Sequence, residues 1–211
     1  MTGMLITFEG IEGVGKTTQL QRLVTWLKER GVPVLLTREP GGTAFGQQLR
    51  SIILDPSTHF HSKYSEIMLF MADRLEHVDG VMIPAIRDGK VVLCDRFIDS
   101  TVAYQVAGRG LPSDFVDYLH GLLALRPDLT VLLDVEPEEG LARARGRAKL
   151  DRFEQETMAF HNRVRAEYHR IARSEPDRVK PVDTTRFGVD VVFDKILEIV
   201  VPALVRSGYS L

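Results

Sequence analysis

Apolar residues along this chain fall into two alternating patterns: short unbroken runs, and longer stretches with helical spacing. The runs occupy 5–8 ("LITF"), 32–37 ("VPVLLT"), 90–95 ("KVVLCD"), 129–135 ("LTVLLDV") and 178–183 ("RVKPVD"). They lack the polar alternation of a half-exposed strand, as expected of strands covered on both faces of a parallel sheet. Between them Leu20, Leu23, Val24 and Leu27 stand at i, i+3, i+4 and i+7, a helical stripe that ends near Gly31. Met68, Met71, Leu75 and Val78 predict a second core stripe, and a last helix over 189–206 offers Val191, Val192, Ile196, Ile199 and Val200 for packing. Strands alternating with helices imply right-handed crossovers. The expected fold is a three-layer α/β/α domain on a five-stranded parallel sheet, spanning 1–211 with no repeat or linker to divide it.

Composition narrows the class. The 211 residues are 44% hydrophobic and 27% charged, enough for one sizeable core. With 27 Lys plus Arg against 29 Asp plus Glu, no overall field recruits nucleic acid or an anionic membrane, so any anion site is local. No run approaches the roughly 18 apolar residues of a membrane span. The one cysteine, Cys94, sits in the apolar "VVLCD" run and reads as a small buried thiol. Together with an N-terminus that lacks a secretion signal, it points to a cytoplasmic protein.

Open parallel sheets bind ligands at the carboxyl ends of their strands. The residues that follow the proposed strands here are "EGIEGVGKT", "REPGGT", "DRFIDST" and "DVEPEEG". In the first, Gly10, Gly15, Lys16 and Thr17 fit G-x-x-x-x-G-K-[ST] between a strand and an amphipathic helix. Such a loop turns backbone N–H groups and a helix N-terminus toward phosphate oxygens, and Lys16 reaches the β- and γ-phosphates of a nucleoside triphosphate. Thr17 supplies a hydroxyl for Mg²⁺. A second carboxylate from a neighbouring strand end is expected to help, with Asp95 and Asp134 as the competitors.

A second group of residues describes an acceptor. Arg38 and Arg96 directly follow strands two and three, and planar guanidinium groups there suit a phosphate monoester. Glu12 inside the phosphate loop needs a donor, which an arginine or a sugar hydroxyl would provide. Phe70 and Arg74 stand one turn apart, placed to stack a base and donate to its carbonyl. Ser100, Thr101, Tyr104 and Gln105 follow in an expected helix. Thr101, Tyr104 and Gln105 share a face for reading a base edge, Ser100 is a candidate cap, and the Tyr104 ring leaves no room for a 2′-hydroxyl. Finally "LARARGRAKLDRFE" carries Arg143, Arg145, Arg147, Lys149 and Arg152. Phosphoryl transfer gains from positioned cations, so this segment, about 140–153, is expected to close as a lid with Arg147 or Arg152 on the transferred group.

With "EGIEGVGKTT", "TREPGGT", the Phe70/Arg74 pair, "DRFIDSTVAYQ", "GRG" and "LDRFEQE" in order over essentially the whole length, the chain resembles thymidylate kinases, closest to the bacterial kind with its arginines in the lid. The resemblance implies a P-loop nucleoside monophosphate kinase fold. It also implies transfer of the ATP γ-phosphate to dTMP with Mg²⁺, and a homodimer. It implies that Gly10, Ile11, Glu12, Gly13, Val14, Gly15, Lys16, Thr17, Thr18 and Arg143 bind ATP. Glu12, Arg38, Phe70, Arg74, Arg96, Ser100, Thr101, Tyr104 and Gln105 would hold dTMP, and Lys16 and Arg96 join Arg147 and Arg152 in catalysis. Rival readings are a kinase for another monophosphate, and a GTP-binding switch, for which the guanine-reading N-K-x-D run is absent.

Overall fold

The computed structural model describes residues 3–146 and 150–211. All five strands form where the apolar runs predict them: β1 Met4–Glu9, β2 Val34–Arg38, β3 Val91–Asp95, β4 Leu129–Asp134 and β5 Val179–Asp183. They make one parallel sheet in the order β2-β3-β1-β4-β5. The register aligns Phe8 with Asp95, and Asp95 with Arg38, so three strands end at one rim. Because β3 and β4 flank β1 on opposite sides, the crevice for a ligand opens where β1 ends.

Helices cover both faces. Along β1, Ile6 and Phe8 point to a cluster with Leu20, Leu23 and Leu27 of α1 (Lys16–Glu29), Val164 of α8 (Met158–Ser174) and Ile196 of α9 (Val189–Arg206). Leu5 points the other way, joining Val92 and Cys94 with Ile67 and Met71 of α3 (Lys63–His77) and Val116 of α6 (Ser113–His120). Successive strand residues thus feed opposite layers, and burial on this scale is the main favourable term in folding. The remaining elements are α2 (Ala44–Leu54), α4 (Ile83–Arg87), α5 (Ile98–Thr101) and α7 (Pro137–Arg145). Val78–Met82 and Val102–Gly108 are π-helical continuations of α3 and α5. Thr43, Ser62 and Thr157 cap α2, α3 and α8 with their hydroxyls, which accept from Gly46 N, Tyr64 N and Phe160 N.

Three expectations need correction. Met68 is half exposed, and the buried stripe is Ile67, Met71 and Arg74 of α3 with Val78 of its π-helical continuation. A charged side chain takes the core position because Glu39 pairs with it there. Val191 is exposed, while Val192, Ile196 and Val200 carry the packing of α9. Ser100 does not cap α5, whose first turn begins after Phe97 without a side-chain cap. Its hydroxyl is drawn to the buried carboxylate of Glu9, a stronger acceptor than a backbone amide donor is a partner.

Candidate active site

The phosphate loop runs from Gly10 into α1. Gly13 has φ 74°, and a Cβ there would lie 1.9 Å from the carbonyl oxygen of Gly140 in α7. Gly10, at φ 132°, would place a Cβ 2.2 Å from the Leu133 carbonyl oxygen. Both positions therefore exclude any side chain. Lys16 Nζ donates to the carbonyls of Gly10 and Ile11, each at 2.9 Å. Burial, reinforced by the charge of Arg96, depresses its ammonium pKa to about 8. Thr17 and Thr18 are exposed at the N-terminus of α1.

Glu12 is the electrostatic centre of the site. Burial alone would raise its pKa, but His161, Arg96, Lys16 and Tyr104 outweigh that and hold the carboxyl at about 2. Arg96 Nη2 donates to its Oε1 at 3.0 Å and Tyr104 Oη at 2.6 Å, while His161 Nδ1 lies 3.4 Å from Oε2. Arg96 itself has φ 69°, and it is the only residue besides glycine with positive φ among those described. Its guanidinium also stacks on Tyr104, 4.9 Å from the ring centroid. Glu9 braces this turn from below. It accepts from Phe97 N at 2.7 Å, Ser100 Oγ at 2.6 Å and Tyr168 Oη at 2.9 Å, and burial followed by Asp99 pushes its pKa up to about 7.

The first cavity of the site is lined by Glu12, Arg38, Phe70, Arg74, Asp95, Arg96, Ser100, Thr101, Tyr104 and Gln105, together with Gly13, Lys16 and Thr17 of the loop. Every residue expected at the acceptor is therefore on one wall or another. Arg74 differs from expectation in being buried and held at each of its three nitrogens: Nε donates to Glu39 Oε2 at 2.6 Å, Nη1 to Thr101 Oγ1 at 2.6 Å and Nη2 to the Phe97 carbonyl at 3.0 Å, which leaves a second N–H on Nη2. The Phe70 ring packs 6.1 Å from that of Phe153, centroid to centroid. Arg38 is exposed at the rim and makes no ion pair among the described residues.

Arg50 of α2, which no motif singled out, lines the same cavity and donates to the Pro40 carbonyl at 2.8 Å. Burial and the nearby Arg38 lower its pKa. Arg38, Arg50, Arg96 and Lys16 thus bring four cationic side chains to the walls of one space, beside Glu12 and Asp95 and with Asp151 and Glu154 also lining it, and donors of this kind suit a phosphate group.

Of the two candidates for Mg²⁺, Asp134 is already taken. Arg165 grips it with Nε at 2.8 Å and Nη2 at 2.9 Å, and His169 Nε2 lies 3.0 Å away. Asp95 has a buried Oδ1 without a hydrogen-bond partner among the described residues, and it faces the cavity that Thr17 also lines. An orphaned carboxylate oxygen and a phosphate-loop hydroxyl lining one cavity fit a hard divalent cation.

A second cavity lies on the other side of the loop, between residues 13–19 and Arg143, Thr184, Phe187, Gly188, Val189 and Val192. Arg143 is held there by Glu139 and by the Thr184 carbonyl. Gly13, Lys16 and Thr17 line both cavities. Arg152, by contrast, does not line either. Its Nε donates to the Ile53 carbonyl at 2.8 Å and its Nη1 to Glu66 at 2.6 Å, and it packs on Phe60 and Phe153. Arg147 and Lys149 lie outside the described residues.

No helix among the described residues is long and apolar enough to cross a membrane. The family model for thymidylate kinase matches residues 8–196. The thymidylate kinase of Symbiobacterium thermophilum is 43% identical over 209 residues, covering 97% of each chain. That of Pseudomonas syringae pv. tomato is 46% identical over 201 residues, covering 93% of this chain and 96% of its own. The crystal structure of thymidylate kinase from Ehrlichia chaffeensis superposes with a TM-score of 0.78 at 34% identity, covering 95% of this chain and 99% of that one. With a phosphate loop shared by two cavities and this agreement over nearly the full length, the chain belongs to the thymidylate kinase family.

Proposed function

We propose that dTMP occupies the first cavity and ATP the second, and that the γ-phosphoryl group passes between them above the shared residues Gly13, Lys16 and Thr17. A phosphate oxygen of dTMP attacks the γ-phosphorus, the bond to the bridging oxygen breaks, and dTDP and ADP leave. The observation that carries this reading is the sharing of those three residues by both cavities, since in-line transfer needs the acceptor oxygen and the donor phosphorus at one point.

Within it Arg38, Arg50 and Arg96 hold the acceptor phosphate, and Lys16 leaves the loop carbonyls for the triphosphate. Glu12, kept ionised, accepts from Arg96 and fixes its guanidinium. The charge neutralisation that Mg²⁺ supplies would be held in place by Thr17 and Asp95. The segment after α7 closes over the phosphates, with Arg147 or Arg152 reaching the transferred group and water excluded. For Arg152 this means exchanging Glu66 for phosphate.

The chain functions in the cytoplasm as a homodimer in this reading, and the exposed apolar residues Phe45 and Ile52 of α2 and Met68 of α3 support a self-association face. ADP release from purified protein, followed across dTMP, dUMP, UMP, dCMP and dGMP, tests the assignment. Preference for dTMP is expected, and equal or better use of UMP would defeat it.

A further inference from the structure

Behind the acceptor cavity stands a carboxylate that the transfer itself does not use. Glu66 of α3 is buried, does not line the cavity, and gathers three donors. Gln105 Nε2 reaches its Oε1 at 3.1 Å, Arg109 Nε the same oxygen at 3.3 Å, and Arg152 Nη1 its Oε2 at 2.6 Å. An ionised carboxylate can only accept. The amide of Gln105 therefore has to turn its NH₂ to Glu66, which leaves its carbonyl for the cavity that Gln105 lines.

From this geometry we infer that Glu66 is a positioning residue for base selection, fixing Gln105 as a hydrogen-bond acceptor so that the site takes pyrimidines with an N3–H and rejects cytosine. The inference rests on the acceptor reading above. The edge of thymine or uracil presents a carbonyl at C4 and a donor at N3, whereas cytosine presents an amino group and an unprotonated N3. Arg74, a permanent donor on the same wall, matches the first edge at C4 and opposes the second. A locked carbonyl on Gln105 matches N3–H and repels the N3 lone pair. A free amide could flip and serve either base, because its two ends differ little in shape. Leaving a buried polar group unpaired against the wrong substrate is what gives such sites their discrimination.

The test is the ratio of kcat/KM for dTMP to that for dCMP in E66Q, where the new side chain can both donate and accept and Gln105 is no longer locked. The ratio should fall at least about tenfold, through both a loss on dTMP and a gain on dCMP. A merely structural role would lower both substrates together, so a ratio within about twofold of wild type would overturn the inference. Q105L should reduce the ratio as well, and an unchanged ratio there would be equally fatal. Should E66Q fail to melt cooperatively, the wild-type protein decides. With dTMP bound, the Gln105 side-chain amide, assigned by its absence from Q105L, should show a proton protected from solvent exchange. Free exchange would overturn the lock. Absence of dTMP turnover in the wild-type protein would instead sink the kinase reading beneath it.

Discussion

Tyr104 Oη donates to Glu12 Oε1 at 2.6 Å, so the aromatic wall of the acceptor cavity is tied directly to the phosphate loop. Substituting Y104F keeps the ring but removes that bond to a charged acceptor, and kcat/KM for dTMP should fall about tenfold. Y104A removes the ring too. Only the second variant should narrow the preference for dUMP over UMP, and steady-state rates with both nucleotides check it.

Glu12 should also shape acid stability. Its folded pKa of about 2 lies below the unfolded value of 4.5, so its contribution is complete above that upper value and is lost as pH falls from 4.5 toward 2. The displacement corresponds to about 3 kcal/mol at neutral pH. Urea denaturation from about pH 6 down to about pH 2 should show a shallower decline in E12Q than in wild type; parallel curves would contradict the assignment.

Lys16 makes the opposite limb visible. Below about 8 it is protonated in the free protein and available to a triphosphate. The value of kcat/KM for ATP, which reports the free enzyme, should then decline about tenfold per pH unit above that point. A profile flat to about pH 9.5 would show that the lysine holds its proton.

Replacing Arg147 and Arg152 singly by alanine should lower kcat by about a hundredfold or more for whichever reaches the transferred group, with ATP affinity changed little. R152A carries a second signature, a lower melting temperature, because Glu66 loses its 2.6 Å partner. Unchanged turnover in both variants would remove the lid arginines from the mechanism.

Self-association is read by light scattering. Wild type should elute at twice the chain mass, and I52D combined with M68D should elute as a monomer with its melt intact, since both side chains are exposed.

The strands were legible because a run buried on both faces has no choice but to be apolar throughout, and β1, β3 and β4 are of that kind. The phosphate loop was legible because its glycines and lysine, Gly10, Gly13, Gly15 and Lys16, stand at fixed spacing in one short local segment. What stayed hidden depends on partners distant along the chain. Arg74 is buried by Glu39, 35 positions away; Ser100 is claimed by Glu9, 91 positions away; and Arg152 is drawn off the site by Glu66, 86 positions away. Apolar periodicity has no access to such pairings, which is why Met68 was expected in the core where Arg74 stands. Arg50 carried no local signal at all, sitting in an ordinary helix whose placement beside Arg38 only the assembled sheet rim reveals.

Gly13 and Gly140 meet main chain to main chain, with no side chain between them to absorb a displacement. The stem of α7 and the phosphate loop must therefore shift together or not at all. Any swing of the arginine-bearing stretch has to pivot downstream of Gly140, so a bulky replacement such as G140V would cripple the cradle itself before it touched the arginines.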